Sequence, residues 1–439
     1  MKITHLQSST QIIHLGDIKV LTDPWLTAGE YFGSWYHYPP FPKKDLDDLD
    51  YDYIYVSHIH PDHLSEKTFK ALPKKVPVLI HRYESQFVKF KLEMFGFEVI
   101  ECNHREPFVF NNGGSITIYA ADNCDPELCG KFMGCAPVEV RFGSTQIDTL
   151  ALFEYEGQLV LNTNDCPFEL AESTIKTNNL HSMGVDVLCV GYGGAGPFPQ
   201  CFEFVDIDGK EKAAKDKEEQ FLKQAIEYIE LVKPRAYVPF AGTYILGSRL
   251  AGLTKYRGVP TVEGALSYLS KHFKETFKGV LLSQFDVLEV EGIEKVEGNR
   301  EFEKSYDEYV AEISQYELSF DKDDWDETEL PGLIDNAYNR FKAKANQIEF
   351  SSNTTLIIQS DKIAFNFKVN KKPDILSETQ LINEPYVKVT VDHNLLHRLL
   401  RGPRFAHWNN AEIGSHLHFD RRPNVFERGL YHCLCFMHK

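Results

Sequence analysis

Through roughly the first 290 residues, short runs of apolar and β-branched residues alternate with stretches of helical periodicity. Gln11 to Leu15 reads as a strand, Gly16-Asp17 as a turn, and Ile18 to Thr22 as the returning strand of a hairpin. Asp52 to Ser57 predicts a strand that ends in a loop. Ser65 to Leu72 predicts a helix with Ser65 as its N-cap, and Val76 to His81 a further strand. Leu150 to Tyr155 and Gln158 to Asn162, joined at Gly157, read as a second hairpin. Val185 to Val190 is apolar enough for a buried strand, Glu218 to Val232 has an amphipathic helical period, and Ala236 to Pro239 reads as a strand. Hairpins mixed with strand–helix units predict an α/β (α+β) chain with two mixed sheets flanked by helices.

The pattern changes near Val296. Acidic residues crowd between Asp321 and Glu329, and the periodicity to Lys344 is mostly helical, as in a linker with a solvated acidic face. From Ile348 strands return: Thr355 to Gln359, Ile363 to Lys368 and Tyr386 to Val391 look antiparallel. Asp392 or Asn394 then caps a helix running through Leu400. These shifts divide the chain into residues 1–295, a linker over 296–345, and a small α+β module over 346–439.

Composition narrows the function. The 439 residues carry 47 Lys+Arg against 64 Asp+Glu, a net charge of −17, which disfavours a nucleic-acid backbone as partner. No run approaches the ~20 apolar residues of a membrane helix. The N-terminus lacks a signal-peptide layout, so a cytoplasmic protein is expected. Nine scattered cysteines are then expected as thiols rather than disulfides.

One segment dominates the chemistry. Ser57-His58-Ile59-His60-Pro61-Asp62-His63 gathers three imidazoles and a carboxylate within six positions, directly after a predicted buried strand. Such a donor set suits borderline divalent cations. Strand alternation lets His58 and His60 face one way, while the turn can bring Asp62 and His63 to a second cation.

His-x-His-x-Asp-His after a strand resembles the signature of the metallo-β-lactamase fold superfamily, over about Met1 to Gly292. The resemblance implies a four-layer αββα sandwich, with one or two divalent ions (Zn, Fe or Mn) as cofactor. It implies metal ligands His58, His60, Asp62, His63 and Asp165, with Asp165 bridging, and Asp62, His63 and Asp165 in catalytic roles. Asp23, in Thr22-Asp23-Pro24-Trp25, matches the residue that orients the histidine loop from behind the ligands. Two departures stand out. No histidine lies between His104 and His181, where the family supplies a third ligand. Asp125 is the candidate replacement, with Asp122 as competitor and a turn before Pro126 as the alternative. Ala241 stands in a segment (Ala236 to Gly242) where the family has a late histidine.

Flanking segments resemble the β-lactamase-like part of the CMP-N-acetylneuraminate hydroxylase family: Asp23 to Thr27, Phe32 to Trp35, Leu161 to Cys166, Gly193 to Gly196 and Pro239 to Gly242. That family adds a Rieske module with two Cys and two His. Here Cys102-Asn-His104 and Cys435-Phe-Met-His438 have the spacings but lie far apart, and read as coincidental.

The glycine run at Gly193 and Gly194 could admit a substrate to backbone N–H groups. Tyr237 and Tyr244 could line its pocket, although aromatics near strand ends more often belong to the core. Arg249, Lys255 and Arg257 could hold an anion or lie on a solvated face. His407, Asn409, Asn410, Glu412 and His416 could reach a ligand, stitch the C-terminal module to the rest, or serve a homo-oligomeric interface.

Two activities follow. The first is a metal-dependent hydrolase acting through an activated water on a polar, anionic small molecule. The alternative is an O2-dependent mono- or diiron hydroxylase, an oxidoreductase served by an external reductase. The resemblance suggests a sugar-nucleotide or polysaccharide-precursor substrate for either. The commonness of hydrolysis on this fold puts it first, and an acidic third ligand in place of histidine would favour iron or manganese over zinc.

Overall fold

The computed structural model describes residues 1–83, 86–120, 148–274, 276–299, 302–376 and 384–439. Two sheets face each other in the first part of the chain. The first has eight strands in the order Glu294–Val296, Val287–Glu289, Lys2–Gln7, Thr10–Leu15, Ile18–Thr22, Tyr53–Val56, Val78–His81 and Val99–Cys102. The second has seven: Lys278–Gly279, Ala236–Phe240, Val187–Gly191, Gln158–Asn162, Thr149–Tyr155, Ser115–Ala120 and Pro107–Val109.

Alternation along the strands decides which core each side chain enters. Ile13, Leu15, Val20, Tyr55 and Leu79 turn inward and meet Ile118, Phe153, Val160, Val187 and Val238 of the second sheet. Their neighbours Ile12, Leu21, Ile54, Val56 and Ile80 turn outward against Phe69, Val88 and Leu92 of the helices Glu66–Ala71 and Phe87–Met94. Leu150, Leu152, Leu161 and Leu188 pack outward in the same way, against the helices Phe168–Thr177, Ile207–Val232 and Val262–Phe273. Both central strand sets are apolar on two faces because each lies between a helix layer and the opposite sheet. The result is the αββα sandwich.

The expected strands and hairpins of this region are present within a few residues. Ser65 caps its helix by accepting from the Thr68 N–H. The amphipathic helix is longer than its apolar stripe suggests: it starts at Ile207, where Asp206 accepts from the Gly209 N–H.

The C-terminal module is a five-stranded sheet in the order Lys371–Leu376, Ala364–Lys368, Thr355–Gln359, Tyr386–Thr390 and His418–Arg422. One expectation is corrected. Thr355–Gln359 pairs antiparallel with Ala364–Lys368 but parallel with Tyr386–Thr390, because the chain crosses over before returning. Asp392, not Asn394, caps the helix His393–Arg401. The helix Leu330–Gln347 buries Leu333, Ile334, Ala337, Tyr338 and Phe341 in this module's core.

The module is joined to the sandwich through Phe202, which stacks on Phe419 (ring centroids 4.8 Å apart), and through hydrogen bonds from Glu203 N to Phe419 O and from Phe419 N to Cys201 O. Among the described residues, no helix is long and apolar enough to cross a membrane.

Candidate metal centre

The strand ends of both sheets converge at one edge of the sandwich. Tyr53–Val56 runs directly into Ser57 and His58, and Gln158–Asn162 into Asn164 and Asp165. Hydrogen bonds across the sheets hold these ends together. Thr149 Oγ1 donates to the Ser57 carbonyl at 3.0 Å, and Asn164 Nδ2 donates to the Thr149 carbonyl at 2.7 Å.

Asp23 stands behind the histidine loop, fully buried and in a left-handed backbone conformation (φ 41°). Its Oδ1 accepts the Ser57 N–H at 2.7 Å. Its Oδ2 accepts the Ser57 hydroxyl at 2.7 Å and hydrogen-bonds His63 Nδ1 at 2.8 Å. One carboxylate therefore fixes both the loop and the His63 ring, and turns His63 Nε2 toward the opening.

Two donor groups form around this loop. His58, His60 and Asp148 bring one ligand atom each to within 4.8 Å of one another, and so do His58, His63 and Asp165. His58 Nε2 and His60 Nδ1 are 2.9 Å apart, and His58 Nδ1 is 3.4 Å from Asp148 Oδ1. His63 Nε2 lies 3.2 Å from Asp165 Oδ2 and 3.6 Å from Asp62 Oδ2. Tyr31 donates its hydroxyl to the other Asp62 oxygen. His58, His60, Asp62, His63 and Asp165 are thus brought together. Asp125 and its competitor Asp122 lie outside the described residues.

Asp148 is the ligand candidate that motif reading passes over. The register of the second hairpin, with Tyr155 opposite Gln158 and Ala151 opposite Asn162, sets Asp148 opposite Asp165 when continued. Counting back along that hairpin is the signal that could have found it. Tyr31 was also missed as a contact of the ligands, whereas Asn409, one of the C-terminal polar residues singled out from the sequence, hydrogen-bonds His60.

The electrostatics fit a cation. Asp62, Asp148 and Asp165 crowd one small space. Burial and the neighbouring Asp165 charge push Asp148 up to about 7. Burial also raises Asp62, with Asp165 adding to it. Burial opposes a charge on His63, yet Asp165, Asp23 and Asp62 outweigh it and hold the ring protonated far above its ordinary range. His58 is driven the other way by burial and by the positive charge beside it. Among the described residues, buried Asp148 Oδ1 has no hydrogen-bond partner. Carboxylates that crowd, an orphaned buried oxygen and imidazoles turned inward are the residues a divalent ion would satisfy.

A cleft opens onto Asp62, His63 and Asp165. Its walls are Ser8, Trp35, Gly193, Gly194, Ala241 and Tyr244. Trp35 and Tyr244 stack 3.5 Å apart and nearly parallel. Gly194 is required by packing: a Cβ there would lie 1.9 Å from the Phe221 ring. Tyr237 is corrected. It occupies the outward register of its strand, packs on Phe273 and hydrogen-bonds Ser270 at 3.3 Å, away from the cleft. Arg249 is engaged by Asp321 and Asp392, whereas Arg257 lies over the Tyr244 ring, 4.4 Å from its centroid. His416 binds the Tyr31 carbonyl at 2.7 Å, so the C-terminal module does stitch itself to the loop that holds Asp62. A larger groove of about 690 Å3, lined by Phe198, Phe202, Lys388 and Arg421, contains neither of the two donor groups.

Comparison with known proteins agrees with this fold. Residues 2–124 match the model of the β-lactamase superfamily domain. The chain carries a metallo-β-lactamase fold. It is 28% identical over 249 residues to a cytidine monophosphate-N-acetylneuraminic acid hydroxylase of Danio rerio, covering 55% of this chain and 38% of that protein. For the hydroxylase of Asterias rubens the figures are 27% over 308 residues, 69% and 43%. The chain therefore spans less than half the length of these curated relatives. Among solved structures it is similar to isothiocyanate hydrolase from Delia radicum gut bacteria (15% identity, TM-score 0.45, 66% of this chain and 99% of the other). It is likewise similar to CmlA, a diiron β-hydroxylase from Streptomyces venezuelae (15%, TM-score 0.42, 65% and 53%). The His/Asp groups of this chain support divalent metal as cofactor.

Proposed function

We propose that this chain is a dinuclear metalloenzyme that hydroxylates a polar, anionic small molecule with O2 and electrons from an external donor. The observation that carries the reading is Asp148 beside His58. It makes the donor set three imidazoles and three carboxylates, and so many anions favour iron or manganese in higher oxidation states over zinc. Sequence reasoning alone put hydrolysis first; this carboxylate and the hydroxylase names of the curated relatives reverse that order.

His58, His60 and Asp148 would hold one ion, and Asp62, His63 and Asp165 the other, with Asp165 between them. When bound, the ions would supply Lewis acidity and, as iron, the redox chemistry that O2 requires. The overall change converts a C–H bond, O2, two electrons and two protons to C–OH and water. The chain's own groups do the rest. Asp23 orients His63, and Tyr31 Oη holds one oxygen of Asp62 so that the other faces His63. Trp35 and Tyr244 give the substrate a flat wall and exclude water from one side.

A sugar nucleotide is the substrate class we favour, after the curated relatives. One cation beside the cleft wall suits its phosphate, and a second buried amine is held partly neutral. Arg257 lies against Tyr244, and burial together with Arg257 lowers Lys217 to about 7. The hydrolytic reading stays in view because the cleft opens directly onto Asp165 and His63, where a water attacking an ester or phosphodiester could be oriented.

Metal analysis of protein purified without added metal, followed by anaerobic reduction and an O2 pulse, tests the proposal. About two irons per chain, with O2 uptake matched to the electrons supplied, is the expected outcome. Zinc alone, with no O2 uptake after iron reconstitution and with phosphodiester cleavage lost in Asp165→Ala, would overturn it in favour of hydrolysis.

A further inference from the structure

Outside the centre, imidazoles and a carboxylate converge a second time, at the junction of the acidic segment and the C-terminal module. His393 and His397 stand four residues apart on the helix His393–Arg401, so both project from one face. Both are buried. Each turns its Nε2 to Glu327, on the short turn Glu327–Glu329. His393 Nε2 lies 2.8 Å from both Glu327 oxygens, and His397 Nε2 lies 3.4 Å from Oε2. All three ligand atoms fall within 4.8 Å of one another.

The rings are held from behind. Ser360 Oγ hydrogen-bonds His393 Nδ1 at 3.0 Å. Trp325 stacks on His397 with an interplanar angle of 6°. His397 Nδ1 has no partner among the described residues, so the ring's polar engagement is all toward Glu327. Support of the far side is what fixes the orientation of a metal-ligating imidazole.

The separations suit a tetrahedral ion. Ligand bonds of about 2.0–2.2 Å put neighbouring donor atoms about 3.3 Å apart. The nitrogen–oxygen distances of 2.8 and 3.4 Å bracket that value, and no two of the three ligand atoms are more than 4.8 Å apart. Two nitrogens and one carboxylate oxygen are a borderline set that suits zinc, with a fourth position left for water. Lys362 donates to Glu327 Oε1 at 3.1 Å, but its side chain is largely exposed and free to swing away.

We infer that Glu327, His393 and His397 form a second divalent-metal site, with zinc as the preferred ion, that clips the acidic segment to the C-terminal module. The clip would join positions 66 residues apart, where loop closure makes a cross-link most effective.

The test uses the full chain stripped with chelator and titrated with Zn2+, and with Co2+ as a visible probe of tetrahedral coordination. Glu327→Gln and His397→Gln should each remove the same single equivalent, and the double variant no more than one. Asp165→Ala should keep that equivalent and its cobalt bands, which separates this site from the main centre. Zn2+ should raise the melting temperature of Asp165→Ala by more than that of Asp165→Ala combined with Glu327→Gln. The Glu327 side chain is half-exposed, so Glu327→Gln remains informative even if His397→Gln does not fold. Unchanged stoichiometry and unchanged cobalt bands in folded Glu327→Gln would overturn the inference and leave the cluster as a Lys–Glu–His hydrogen-bonded group.

Discussion

The two histidine–carboxylate clusters are built from similar residues by different means. The main centre draws four donors from one loop and two from the strand ends of the other sheet, and braces the rings from outside the donor set: Asp23 on His63, Ser57 on His58, Asn409 on His60. Its three carboxylates exceed what one protonated imidazole can offset. The second cluster uses one helix face and one turn, and its single carboxylate already has Lys362 beside it. Charge in the first is unsatisfied without a cation, while charge in the second is satisfied with or without one. The difference teaches that donor count alone does not separate a catalytic site from a structural one; net charge and the bracing of each ring do.

The sharpest way to break this contrast is to remove Asp165, the residue proposed to lie between two ions. Asp165→Ala should lose at least one metal equivalent and about 10³-fold or more of activity, whichever chemistry the centre performs. Full metal occupancy in the variant would end the bridging role. Asp148→Asn comes next, since it keeps shape and removes one anion. We expect iron affinity to fall about 10- to 100-fold, with zinc affected less, measured by competition with a chelator. An iron-to-zinc preference that does not move would break the link between Asp148 and metal choice. Asp23→Asn should cost metal affinity by about 10-fold or more through the His63 ring, with metal stoichiometry preserved at saturating metal. Loss of folding instead of affinity would make Asp23 a scaffold residue.

Much of this was legible in the residues because the αββα region is made of short strands with clear alternation, and His58 to His63 form a continuous motif. What escaped depends on distance along the chain. Asp148 becomes visible only when the hairpin register is carried past the last paired residue toward Asp165. Tyr31 reaches Asp62 through two consecutive left-handed residues, Tyr31 (φ 49°) and Phe32 (φ 62°), a conformation no propensity rule assigns to aromatic residues. Tyr237 was misread because a strand's two faces look alike when both are buried. The parallel pairing of Thr355–Gln359 with Tyr386–Thr390 depends on a crossover that local pattern does not encode.

The smallest expected effect concerns two carboxylates whose pH dependences have opposite signs. Glu30 sits behind the main centre, 7% exposed, accepting from Ser65 Oγ at 2.6 Å. Burial raises it from 4.5 to about 7, against the opposing hydrogen bond from Ser65. Between pH 4.5 and 7 the folded state then holds a proton that the unfolded state has released, so stability falls as pH rises through this window. Glu327 is the reverse. Burial pushes it up, but hydrogen bonds from His393, Lys362 and His397 prevail and hold it at about 2. Its contribution is present above pH 4.5 and is lost as pH falls toward 2; half-exposed, it is a small one. In chelator-treated protein, denaturant titrations across pH should therefore show Glu30→Gln flattening the slope between pH 4.5 and 7, worth about 1–3 kcal/mol at neutral pH. Glu327→Gln should instead flatten only the acid limb. The same slope in both variants would mean that burial does not distinguish the two carboxylates, and the contrast between a cation-demanding centre and a self-satisfied second cluster would fail.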